Sequence, residues 1–213
     1  MSRLLDARRF SRAARELADT DAALGSLVAS HGIPEFWHRP PGFGTLVLLV
    51  LEQQVSLASA RATFERLRRG VGSVTPRRVL AASDVELRAW GLSRQKARYV
   101  RVLAEAVTEG RLDLEGLETL PDDAVRATLT ALPGIGPWTA DVYLLSSLRR
   151  PDIWPVGDRA LQVAAAETLM LDTVPDPPRL ARIGERWAPW RAVAARLLWH
   201  GYLMRRGRRH TPA

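Results

Sequence analysis

No cysteine occurs in the 213 residues, which excludes disulfides, thiolate metal sites, a thiol nucleophile and a cysteine-ligated iron–sulfur cluster. The four histidines, His31, His38, His200 and His210, lack the spacing of metal ligands. Lysine is almost missing too: Lys96 is the only one among 31 basic side chains. The longest unbroken apolar run, Leu46 to Leu51, is far shorter than the ~20 residues of a membrane span, so a soluble, cytoplasmic protein without a membrane partner is expected. No stretch alternates apolar and polar residues as a half-buried strand does. The arginine-rich N-terminus is interrupted by Asp6, Glu16, Asp19 and Asp21 and reads as a helix rather than a transit peptide.

What the chain does have is positive charge and helix punctuation. A net charge of +8 and a pI near 11.1 favour a polyanionic partner, nucleic acid before an anionic membrane surface. With 46% hydrophobic residues the chain can bury a proper core. Thr75 before Pro76 reads as an N-cap followed by a first-turn proline, and Ser83 with Glu86 as a capping box. Ser93 opens a helix with Ala97, Val100, Leu103 and Ala104 on one face, ending near Gly110. Another starts at Pro121, with Asp122 and Asp123 complementing the helix dipole. The spacing predicts an all-α protein of about ten helices, roughly 7 to 17 residues each, in two lobes.

Three segments break this rhythm. Glu52-Gln53-Gln54-Val55-Ser56 places polar side chains directly after the apolar run. Leu132-Pro133-Gly134-Ile135-Gly136-Pro137-Trp138-Thr139-Ala140 joins two helices. Asp152-Ile153-Trp154-Pro155-Val156-Gly157-Asp158 precedes a helix expected over Arg159 to Leu169. In the second segment Gly134 and Gly136 let the backbone turn sharply while Ile135 plugs inward. The helix that begins at Trp138-Thr139 then aims its N-terminal amides outward. Two readings fit this spacing equally: a phosphate-binding hairpin, or an ordinary helical hairpin with glycine caps. Asp158 likewise reads first as a helix N-cap, Gln54 as a polar helix-end residue, and Lys96 as a solvated or phosphate-contacting side chain.

The Leu132–Ala140 segment, followed about 20 residues later by Pro155-Val156-Gly157-Asp158, closely resembles the helix-hairpin-helix (HhH-GPD) DNA glycosylase superfamily. Trp138, the stretch Glu185-Arg186-Trp187-Ala188-Pro189-Trp190-Arg191 and Trp199 are similar to its 3-methyladenine DNA glycosylase II branch. The resemblance covers roughly residues 30 to 203 and implies a compact member without the N-terminal mixed α/β domain that some relatives carry, with a two-lobed helical fold around a central cleft. The expected inner lobe spans 45–135 and ends in the hairpin, the second lobe takes 1–44 plus 136–204, and residues 205–213, with Arg205, Arg206, Arg208 and Arg209, form a mobile basic tail.

The resemblance also implies roles. Asp158 becomes the catalytic carboxylate that stabilises an oxocarbenium-like sugar and orients the attacking water; Asp141 and Asp152 are its rivals. Gln54, with Gln53 beside it, becomes the wedge that fills the gap left by a flipped base, while Gly134, Gly136, Thr139 and Lys96 contact DNA. Trp138 and Trp199 line the base pocket, closed by Trp37 and Phe43; Trp187 and Trp190 are structural. Carbonyls of Thr130, Leu132 and Ile135 are candidates for a bound Na+ or K+, and no other cofactor is required. Because Trp138 stands where bifunctional relatives carry a lysine, no lyase step is expected. The expected activity is hydrolytic release of alkylated purines from damaged duplex DNA by a monomer. The alternatives are a noncatalytic helix-hairpin-helix DNA-binding protein and a glycosylase for oxidised or deaminated bases.

Overall fold

The computed structural model describes residues 4–207. Among them are twelve α-helices, two short 3-10 helices and no strand. The chain opens with α1 (Ala7–Thr20) and α2 (Ala22–His31), continues through α3 (Phe43–Glu52), α4 (Leu57–Val71), α5 (Pro76–Ala81), α6 (Asp84–Ala89), α7 (Arg94–Thr108) and α8 (Asp122–Thr130), and closes with α9 (Pro137–Ser146), α10 (Arg159–Thr168), α11 (Pro177–Gly184) and α12 (Arg191–Arg205). It divides into a middle unit, Arg39–Tyr143, and a terminal unit made of the residues up to His38 together with those from Leu144 onward.

The capping signals explain most of the boundaries. Pro76 opens α5 behind Thr75, whose backbone is extended. The Ser83–Glu86 box is complete, with both reciprocal bonds formed, and Ser93 accepts the Lys96 amide at 3.2 Å. Asp122 and Asp123 fill the first turn of α8. The count exceeds ten partly because Asp21 ends one helix and starts the next. Its amide closes α1 onto Leu17, while its carboxylate accepts the amides of Ala23 and Leu24.

In the middle unit α3 is the core. Nine of its ten residues are buried, from Phe43 to Glu52, and it packs against α4 and α7, with α5 and α6 also on α7. Glu52 is buried because Arg39 meets it in a bidentate ion pair at 2.8 and 2.9 Å, and Thr45 donates to the Pro40 carbonyl. Tyr143 accepts the Gly42 amide through its hydroxyl at 2.9 Å. These ties bind residues 39–44 and the start of α9 into this unit, so the expected boundaries at 45 and 135 both fall inside it.

In the terminal unit α12 is the core helix, buried from Ala192 to Leu198 and packed against α1, α2 and α10. Helix α1 buries Phe10, Ala13, Ala14 and Leu17, the i, i+3, i+4, i+7 stripe of an amphipathic helix. Trp187 is buried with its indole N–H donating to Asp21 Oδ2 at 3.0 Å, and Arg9 lies over the Trp190 ring. The expected mobile tail is corrected at its first two residues: Arg205 ends α12, Arg206 caps it, and both pair with Glu167. Arg208, Arg209 and His210 lie outside the described residues. Among those described, no helix is long and apolar enough to cross a membrane, and no group of three or more His, Asp or Glu is placed to hold a metal ion.

Asp21 thus caps α2 and satisfies the Trp187 indole at once, and Arg186 pairs with the same Oδ2 at 2.8 Å. Asp21→Ala is expected to destabilise the protein by about 2–4 kcal/mol, the loss of a cap plus a buried donor left unpaired, measured as a shift in urea unfolding.

Candidate nucleic-acid interface and carboxylate site

The hairpin runs from the end of α8 to the start of α9. The Ile135 amide donates to the Leu132 carbonyl at 3.1 Å, and Ile135 is buried, so its side chain anchors the turn from inside. Gly134 has φ +91, and a Cβ there would lie 2.2 Å from the Tyr99 ring of α7. Glycine is required both for the backbone conformation and for that close packing. Gly136 is exposed, with open space where a Cβ would stand. Pro137 opens α9 as a first-turn proline, a position where its missing N–H costs no helix bond. Helix α9 therefore begins at the glycine turn, and its N-terminal end carries the positive pole of the helix dipole. Trp138 is half-buried in this first turn.

Thr139 is buried, 1% exposed, and its hydroxyl accepts from Gln53 Nε2 at 2.9 Å, so its side chain takes no part in the expected contact with DNA. Gln53 Nε2 also donates to the Gly134 carbonyl at 2.8 Å. The expected sharing of a wedge role by Gln53 is corrected in the same way, because its side chain is turned onto the hairpin. Gln54 is different: it is exposed and has φ +58, and Val55, Ser56 and Leu57 after it are exposed as well. Lys96, expected to be solvated or on a phosphate, is half-buried and donates from Nζ to the carbonyls of Leu51 and Gln53, at 2.7 and 2.8 Å. Burial pushes its ammonium below the ordinary lysine range. Phe43, expected at a pocket mouth, is buried as the first residue of α3.

In the terminal unit Asp158 is the N-cap of α10, its backbone extended and its Oδ1 accepting the Leu161 amide at 2.7 Å. The same oxygen accepts the Trp199 indole N–H at 3.1 Å, so two donors fix the carboxylate on a half-buried site. Two of the expected residues are brought together here, the aspartate and a pocket tryptophan. Trp37 is half-buried beneath the guanidinium of Arg196, 4.3 Å from its ring centroid. Arg196 is 2% exposed, also lies over Phe36, and donates to the Leu145 carbonyl; burial lowers it to about 9. Sequence reasoning missed this arginine, whose only signal is a charge inside the apolar stretch Ala192 to Leu198. The rival carboxylates are engaged elsewhere. Asp141 pairs with Arg126 at 2.6 Å, its carboxyl raised by burial against the opposing pull of that arginine. Asp152 holds Arg191 through both oxygens.

Residues 47–189 match the HhH-GPD superfamily of base excision DNA repair proteins, and the chain belongs to that family. A putative DNA-3-methyladenine glycosylase of Bacillus subtilis is 27% identical over 165 residues, 74% of this chain and 58% of that protein, so the chain spans little more than half the length of that relative. The structure of the 3-methyladenine DNA glycosylase of Schizosaccharomyces pombe in complex with abasic DNA matches with a TM-score of 0.82 at 26% identity, over 88% of this chain and 95% of that one. A DNA-3-methyladenine glycosidase of Bacillus halodurans matches with a TM-score of 0.77 at 32% identity, over 92% of each chain.

Because Gly134 combines a left-handed backbone with contact to Tyr99, Gly134→Ala is expected to cost about 1–3 kcal/mol, read from thermal unfolding. It is also expected to weaken binding to an undamaged duplex in a fluorescence-anisotropy titration.

Proposed function

We propose that this chain removes alkylated purines from duplex DNA by hydrolysing the N-glycosidic bond, with Asp158 as the catalytic carboxylate. The observation that carries the reading is the Asp158 side chain, fixed by the Leu161 amide and the Trp199 indole, in a chain of a base-excision repair family. The hairpin binds backbone phosphates through the N-terminal end of α9, contacts that set register on the duplex without reading sequence. The target base is unreachable in the stack, so it is extruded, and Gln54, exposed at the tip of its turn, fills the gap.

As the bond to the base breaks, positive charge develops on the sugar. A carboxylate held in place by two donors stabilises that charge without reorganising, and it orients and accepts a proton from the attacking water. The bond from the Trp199 indole N–H to Asp158 fixes the ring beside this carboxylate. Indole faces suit a cationic methylated purine, whose attraction to each ring contributes about 0.5–2 kcal/mol. Such a base is also a good leaving group. The names of the relatives agree with this substrate class. Trp138 offers no amine for a Schiff base, and the single lysine is bonded to two carbonyls, so water is the nucleophile. A Na+ or K+ held by the carbonyls of Thr130, Leu132 and Ile135 would supply charge between hairpin and phosphate; Leu132 already accepts one amide and a carbonyl oxygen has a second lone pair.

Asp158→Asn keeps an oxygen for both hydrogen bonds, and asparagine caps helices as well as aspartate, so the cap and the indole bond are kept while the charge is lost. Release of 3-methyladenine from methylated duplex, followed by chromatography, is expected to fall at least about 100-fold while duplex affinity is retained. Unchanged release would remove Asp158 from the mechanism. For the wild-type protein, duplex affinity is expected to drop steeply with rising salt, and borohydride is expected to trap no adduct on abasic DNA.

A further inference from the structure

The turn after α3 is held in a conformation that its residue types do not favour. A left-handed backbone at a non-glycine residue such as Gln54, with φ +58, is strained and persists only where the surroundings over-determine it. Residues 54–57 are exposed, so the constraint comes from the protein side of the turn, and two side chains supply it. Lys96, in the first turn of α7, donates to the carbonyls of Leu51 and Gln53, groups at the C-terminal end of α3 that the helix itself leaves unsatisfied. Gln53 carries its amide group across to the Gly134 carbonyl and the Thr139 hydroxyl. The peptide entering Gln54 is therefore pinned by an ammonium through its carbonyl, and the preceding side chain is pinned to the hairpin.

A lysine suits this position. Its ammonium has three donors around one centre and can serve two carbonyls that diverge from a helix end, and its charge faces the negative pole of α3. A planar guanidinium makes parallel bonds to a fork of acceptors instead. In a chain whose other basic residues are all arginine, the lone lysine stands where the geometry calls for a point donor.

We propose that Lys96 is a positioning residue for Gln54: by bridging the carbonyls of Leu51 and Gln53 it holds the turn in the shape that presents Gln54 to the duplex, while Gln53 locks that turn to the phosphate-binding hairpin. This rests on the reading of the chain as a base-flipping glycosylase with Gln54 as the wedge. Hairpin and wedge then move as one body, and docking on phosphate places the wedge in register with the base to be extruded.

The test compares release of 7-methylguanine from a duplex in which it faces cytosine with release from one in which it faces thymine, where the mismatch makes extrusion cheaper. Gln54→Ala is expected to slow release about tenfold from the paired site and less than about twofold from the mismatched site. Lys96→Met is expected to reproduce this split, Lys96→Arg to recover only part of it, and the Gln54→Ala, Lys96→Met double variant to be no worse than either single one, as residues acting through one element are non-additive. The slope of log affinity against log salt is expected to stay at the wild-type value in Lys96→Met. A slope shallower by about 0.9 makes Lys96 a phosphate contact and overturns the proposal, as does an equal loss on both substrates or full additivity. If Gln54→Ala shows the split and Lys96→Met does not, Lys96 alone is excluded; if Gln54→Ala shows no split, the wedge reading falls first. Should Lys96→Met fail to fold, Lys96→Gln, which keeps one donor, is expected to show the same split at smaller size, and its absence overturns the proposal.

Discussion

An α-helix leaves backbone N–H groups unpaired at one end and carbonyls at the other, and the residues to which we assign roles in this chain are those that satisfy or expose them. Asp158 accepts an amide at the start of α10. Lys96 donates to carbonyls at the end of α3. The hairpin leads into the N-terminus of α9 through Gly134 and Gly136. Each is a local hydrogen-bonding obligation of the backbone before it is a piece of function, and short helices with many ends multiply such places.

That origin explains what could be read from the residues. Caps are local, so Ser83 with Glu86, Ser93, and the acids behind Pro121 marked helix starts, and Pro-Gly-Ile-Gly-Pro marked the hairpin without knowledge of the rest. The family followed from that motif joined to Pro155-Val156-Gly157-Asp158. Contacts between residues distant in sequence left no such trace. Nothing near Lys96 indicates that it reaches Leu51, 45 positions away, and nothing near Gln53 indicates Gly134. The buried pair of Arg39 with Glu52 was visible only as an unexplained charge after an apolar run. Phe43 illustrates the opposite error: it was expected to help close the base pocket, yet α3 is buried almost all round and takes Phe43 with it.

Several polar groups inside the two units serve more than one partner. Asp21 ends one helix, starts another and receives an indole. Gln53 serves a carbonyl and a hydroxyl of the hairpin. Arg196 spends one amino group on the Leu145 carbonyl and lays its guanidinium over two aromatic rings, which replace part of the hydration it lost. A buried polar atom without partners is costly, and a group that serves several partners holds its neighbours within each unit to one arrangement.

On the proposed reading, in which the helix cap Asp158 is also the catalytic carboxylate, its position bears on how the activity can decay. Active-site residues usually oppose stability, so that losing them strengthens the fold. Here the carboxylate sits where a helix start welcomes Asp, Asn or Ser almost alike. The folded state therefore discriminates poorly between a working copy and a silent one. On that reading, a lineage in which selection for repair was relaxed would drift at this position without losing the fold, leaving intact, well-folded proteins that no longer act on damaged sites.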